Sequence, residues 1–199
     1  LQLFVTKRVS GTNSPFKMDF NHMKFIKFVS LALFIVIVVV ALSYEKIIAR
    51  VLLPQYIEWA HETDMKGLKI GQQLNEQELA LAAEIGIKQP KKVRIVYVDE
   101  VPYPYENFAL KVFGEAVGLV GEGIINNAQV FGYSIYARKD FELNRPKLAH
   151  ELVHVLQIER ASLDEVVTQH FFDMAEYGYD KAPLEVEASA ANIVYSADW

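Results

Sequence analysis

Apolar positions follow one continuous run, then helical spacing, then strict alternation, then helical spacing again. The run is Phe28–Leu42, apolar throughout except for one serine, and it predicts an N-terminal hydrophobic helix. Ile47, Ile48, Val51, Leu52, Ile57 and Trp59 then predict an amphipathic helix within 44–66, broken or kinked near Pro54. In "NEQELALAAEIGI", Asn75 is a cap with Glu78 three residues on, Leu79, Ala82, Ala83 and Ile85 form a helical stripe, and Gly86 ends it.

The period shortens to two in "KKVRIVYVDEVP", Lys91–Pro102, a predicted strand closed by Pro102 and Pro104. Glycines at 114, 118, 121 and 123 punctuate short apolar runs and predict a meander of short strands. "QVFGYSIYARKDF" alternates Phe131, Tyr133 and Ile135 against Gly132, Ser134 and Tyr136, which predicts a second strand. Helical spacing returns at 147–159, opened by Pro146, at 162–176, opened by the capping sequence "SLDE", and at 183–196, opened by Pro183. Helix, small sheet, then helices is an α+β order rather than an alternating parallel one.

A chain of 199 residues that is 52% apolar has material for one domain, or one domain and a tail. It contains no cysteine, so disulfides and thiolate-bound metals are excluded and any metal must be held by His, Asp or Glu. A net charge of −5, with no Lys/Arg block in the body, weighs against nucleic acid as a partner.

The apolar run changes this picture. Lys24 and Lys27 precede it, and Ala41–Ser43 offers small residues in the spacing of a cleavage site, so residues 23–43 read as a signal peptide or an uncleaved signal anchor. Met23 opens this segment, and residues 1–22 read as an extension or a misassigned start. Positive charge at Lys7, Arg8, Lys17, Lys24 and Lys27 would keep the N-terminus in the cytoplasm and place residues 44–199 outside it, exported or membrane-anchored through Phe28–Leu42. Such a domain without cysteine depends on its core, or on a metal, for stability.

The candidate chemistry lies in "KLAHELVHVLQIE", Lys147–Glu159. Positions four apart on a helix share a face, so His150 and His154 converge, and imidazole nitrogens suit zinc. Glu151 is one residue round the helix, placed to reach a water on such a metal and take its proton. Leu148, Leu152, Val155 and Leu156 form the opposite, packing face. The same five letters also describe a plain amphipathic helix with two surface histidines.

A two-histidine site needs a further protein ligand and an open position. The residue six after His154 is Arg160, which excludes a metzincin pattern. His170 lies within a predicted helix, where a packing or surface role competes with ligation. Asp173 precedes "YG" by one residue too many for an aspartate-type site. "PLEVEASAAN" offers Glu185 and Glu187, which face away from each other on a helix, so only one can ligate. Glu185, followed by Ala188 and Ser189, resembles the ligand helix of gluzincin peptidases; Glu187 is the reserve. Both also suit the first turn of a helix for dipole reasons alone.

"HELVHVLQIERAS" followed by "AEYGYDKAPLEVEA" resembles an uncharacterised bacterial family of zincin-type metallopeptidases, which pair His-Glu-x-x-His-Val-x-Gln with a downstream Gly-Tyr-x-x-x-Pro-Leu-Glu-x-Glu-Ala segment. "VRIVYVDEVPYP" and "FGYSIYAR" are similar to the strands such proteins place before the active-site helix. The likeness spans roughly residues 74–195 and is closest in the last part of the chain. It implies a zincin-like fold: a small antiparallel or mixed sheet, then the active-site helix and C-terminal helices. It implies zinc held by His150, His154 and Glu185, with Glu151 as general base. Ser189 stands where many gluzincins carry an aspartate that orients a histidine.

These readings lead to an expectation of zinc-dependent amide hydrolysis acting on a peptide or protein substrate. Tyr177 and Tyr179, with His170 and Arg138, are candidates to stabilise the oxyanion, and Gln157 shares the face of His154 and is placed to hydrogen-bond it. Phe131–Ala137 is a candidate edge for an extended peptide. Two other expectations remain: a non-catalytic binding or structural protein on the same fold, and a zinc hydrolase of cell-wall amides.

Overall fold

The computed structural model describes residues 20–116, 118–197 and 199, with the side chains of 20–22 and 40–45 outside that description. Most of the predicted extension, residues 1–19, lies outside the described residues. The chain divides into two units, residues 1–45 and residues 46–199.

The predicted hydrophobic helix is α1, Phe20–Ile47. Phe25, Phe28, Leu31, Leu33 and Phe34 are exposed along it. Among the described residues no helix is long and apolar enough to cross a membrane. No membrane-spanning segment is found among those residues; the side chains of Val40–Leu42, the end of the run Phe28–Leu42, lie outside the description.

The second unit begins with a π-helical turn, Ile48–Leu52, leading into α2, Leu53–Ile70, with Pro54 in its first turn. Pro54 has no N–H to give and its ring crowds the preceding turn. A widened turn just before it is the form the predicted break takes. Asn75 caps α3, Glu76–Ile85, in a full capping box, and Gly86 closes it with φ 105°.

The sheet is four-stranded and mixed, in the order β1–β2–β4–β3, with β1 Gln72–Gln73, β2 Arg94–Val98, β3 Ala128–Phe131 and β4 Ser134–Arg138. β2 and β4 are parallel; β1 with β2 and β3 with β4 are antiparallel. Its two faces are covered by different helices. Ile95 and Ile135 join a core with α3, α5 (Arg145–Arg160) and α7 (Pro183–Val194). Val96, Phe131 and Tyr136 join a second, aromatic core with α2, α4 (Phe108–Ala116) and α6 (Leu163–Tyr177). Burial on both faces explains why β4 reads as Ser-Ile-Tyr-Ala, all buried, and not as apolar-polar alternation.

Two predicted elements differ. The single strand expected over "QVFGYSIYARKDF" is the β3–β4 hairpin, turning at Gly132–Tyr133. Gly132 has φ +59°, and a Cβ there would lie 2.4 Å from the Asp64 carboxylate of α2. Asp64 Oδ1 accepts from Tyr133 N at 3.0 Å and from Ser134 Oγ at 2.8 Å, so a charged side chain from a distant helix completes the turn. In the candidate edge Phe131–Ala137, β4 is an interior strand; the edge strands are β1 and β3.

The expected meander through the glycines is instead α4 and a loop. Asn107 Oδ1 accepts from Ala109 N and Leu110 N to start α4. Gly114 is tolerated within it because Tyr103 passes close by: a Cβ would stand 2.2 Å from the Tyr103 hydroxyl oxygen.

Candidate metal centre

Asn144 starts α5 by accepting from Lys147 N, and Pro146 occupies the first turn. Leu148, Leu152 and Val155 are fully buried against the sheet side of the core, which fixes the rotation of the helix. His150 and His154 then point to the opposite side, their rings edge to face with centroids 4.9 Å apart. Pro183 starts α7 and places Glu185 in its first turn, where the helix dipole favours a carboxylate. Ala149 and Ala188, both fully buried, belong to the core that joins α5 and α7 and let the two helices approach.

Three donor atoms meet where the helices face each other. His150 Nε2 and His154 Nε2 are 3.2 Å apart. Glu185 Oε2 is 3.6 Å from His150 Nε2, and Glu185 Oε1 is 3.6 Å from His154 Nε2. A tetrahedral zinc with bonds of about 2.0–2.2 Å separates its ligand atoms by about 3.3–3.6 Å. The two carboxylate spacings, each to a different oxygen, match those edges; the imidazole nitrogens stand slightly closer, and the group could hold a metal ion. Two further observations fit. Glu185 Oε2, 3.6 Å from His150 Nε2, is buried without a hydrogen-bond partner. Two facing imidazole nitrogens can be reconciled only by a proton or a cation between them.

The electrostatics follow from burial among opposite charges. Burial pushes the Glu151 carboxyl up to about 7, with Glu185 adding to the rise and His150 opposing it. Burial also lowers the pKa of His154, partly opposed by Glu185. For His150, burial acts against the charged form, but Glu185 and Glu151 outweigh it and raise the pKa. Burial likewise works against ionised Glu185, yet His150 and His154 bring its pKa below the ordinary value.

The group opens on a cavity of about 620 Å³. Its lining includes His150, Glu151, His154, His170, Tyr179 and Glu185, together with the apolar Leu119, Ile124, Phe131, Val167 and Phe171.

The structure sorts the remaining candidates. Glu187 is not beside the histidines: its carboxylate accepts from Gln157 Nε2 at 2.9 Å and from Arg160 at 2.5 Å. Gln157, buried on α5, faces His154, its Oε1 lying 2.9 Å from His154 Nδ1. His170 brings Nε2 to 3.8 Å from Glu185 Oε1, at the rim of the group. Tyr179 lies close enough to Glu185 to lower that glutamate's pKa, while its own is raised by burial and by Glu185. Tyr177 is exposed beside Glu176, and Arg138 pairs with Asp140; neither lines the cavity. The sequence reading missed Asn144 as the cap of α5 and the place of Glu187 and Arg160. A signal existed for the latter: His154, Gln157 and Arg160 recur at three-residue spacing along one helical face.

The fold and the site thus define a mixed α+β protein carrying a two-histidine, one-glutamate group between two packed helices. No family model, curated protein or solved structure matches the chain.

Proposed function

We propose that the protein is a zinc-dependent hydrolase of amide bonds, acting on a peptide or protein substrate. The observation that carries this reading is the convergence of His150, His154 and Glu185 beside a buried glutamate, Glu151. Borderline nitrogen and oxygen donors suit zinc, and three protein ligands leave one position for chemistry.

When bound, zinc supplies Lewis acidity and makes water acidic near neutral pH. Glu151, on the cavity wall next to His150, takes the proton of the attacking water and passes it to the leaving amine nitrogen. Tyr179 and His170, on the rim, offer O–H and N–H donors to the oxygen that becomes negative as water adds to the carbonyl. The apolar part of the cavity lining takes an apolar side chain of the substrate. The free edge of β3, packed beside α5, offers backbone partners to an extended chain.

Elemental analysis of the purified full-length chain, wild type against His154→Ala, tests the metal. One equivalent of zinc in the wild type and a large loss in the variant is the expected result. Digestion of a peptide library beside a cell-wall amide substrate then tests the bond cleaved; cleavage of the cell-wall substrate alone would reassign the substrate.

A further inference from the structure

We propose that Glu187 is a positioning residue: held by Arg160, it fixes which way the Gln157 amide points and thereby which nitrogen of His154 carries the proton. The inference rests on the metal-site reading above for its purpose, but its geometry is independent of it.

The two ends of a glutamine amide are nearly alike in shape, so its orientation is decided by its partners. Gln157 Nε2 is 3.0 Å from Leu184 O and 2.9 Å from Glu187 Oε2. Both are acceptors only, so the NH2 end must face them. The oxygen end is left for His154, 2.9 Å from Nδ1. An oxygen cannot donate, so Nδ1 carries the hydrogen. A neutral imidazole has one hydrogen, and the lone pair therefore sits on Nε2, the atom that faces His150 and Glu185. A reversed amide would set an oxygen against two oxygens and turn His154 Nε2–H into the site.

Leu184 O is a backbone atom in the first turn of α7, and Glu187 is one turn further along the same helix. The helix that contributes the third donor thus also clamps the amide behind the second. Arg160 holds Glu187 from the end of α5, closing a loop between the two helices. Ser189 offers no carboxylate to orient a histidine, and Gln157 with Glu187 takes that role from another direction.

The test reads imidazole 15N shifts of His154 in the metal-free full chain, together with zinc affinity by chelator competition. In the wild type, His154 is expected as the Nδ1–H form. Glu187→Ala should give a mixture of both forms and weaken zinc about 10- to 100-fold, the usual effect of losing a partner behind a metal ligand. Glu187→Gln, which still offers Gln157 an accepting oxygen, should restore most of both. Arg160→Ala, at an exposed position, should move both readouts in the same direction but less. An unchanged His154 tautomer in Glu187→Ala and Arg160→Ala would overturn the proposal, even if zinc affinity fell. If the wild type binds no zinc, the metal reading fails, while the tautomer shift still decides the role of Glu187.

Discussion

His154 Nε2 on α5 lies 3.6 Å from Glu185 Oε1 on α7. That approach requires two helices to pack closely at Ala149 and Ala188, both without exposed surface. Ala188→Leu should wedge them apart. Overpacking of this kind costs about 1–3 kcal/mol. The expected result is a lowered Tm together with loss of zinc binding, although no ligand is changed. Retained affinity in a destabilised variant would show that the donors do not depend on the packing.

Glu151→Gln should keep zinc and lose turnover. The amide fills the same space but takes no proton, and loss of a general base costs about 10²–10⁴-fold in rate. Parallel measurements of bound zinc and of kcat separate the two roles. Wild-type turnover would mean that another group moves the proton.

Zinc should stabilise the fold by joining α5 to α7. A ligand at 100 times its Kd adds about 2.7 kcal/mol, which for a domain of this size raises Tm by about 5–10 °C. Thermal scans with zinc and with a chelator measure the difference. Glu185→Ala should abolish it; Glu187→Ala should retain it at saturating zinc.

Asp64 predicts a pH dependence away from the metal group. Burial raises its pKa, against the hydrogen bonds from Ser134 and Tyr133 that lower it. A folded-state pKa above the unfolded value means the native state binds the proton more tightly. The contribution to stability is therefore full below the unfolded pKa of about 3.9 and is lost as pH rises through the folded value. Asp64→Asn keeps an oxygen for both donors and removes the ionisation. Its stability relative to wild type should improve between pH 4 and pH 7, read from denaturant midpoints. A difference independent of pH would show that the carboxyl does not titrate with folding.

Much of the helical third was legible because its signals are local. Ser162 and Glu165, Asn75 and Glu78, Pro146 and Pro183 each act within one turn, and the helices start where those residues predict. The four-residue spacing of His150 and His154 is also local, and the two rings meet as expected. The hairpin was not legible in the same way. Alternation continues across Gly132, and what breaks the strand is Asp64, supplied by another helix. Likewise only a likeness at Ala188 and Ser189 separates Glu185 from Glu187 in the sequence; in the structure Gln157 and Arg160 on the neighbouring helix hold Glu187 away. The helical character of Phe108–Ala116 was masked by Gly114, whose reason is the ring of Tyr103.

The tip of the β3–β4 hairpin is closed by a side chain 69 positions upstream. Such a turn is not stabilised by its own residues alone. The hairpin's turn therefore draws stability from α2 as well as from its own strand pairing, a non-local contact with a loop-closure cost. Since β3 flanks the helix that carries both histidines, damage to α2 would surface as a slow or incomplete maturation of the centre rather than as a change in its chemistry.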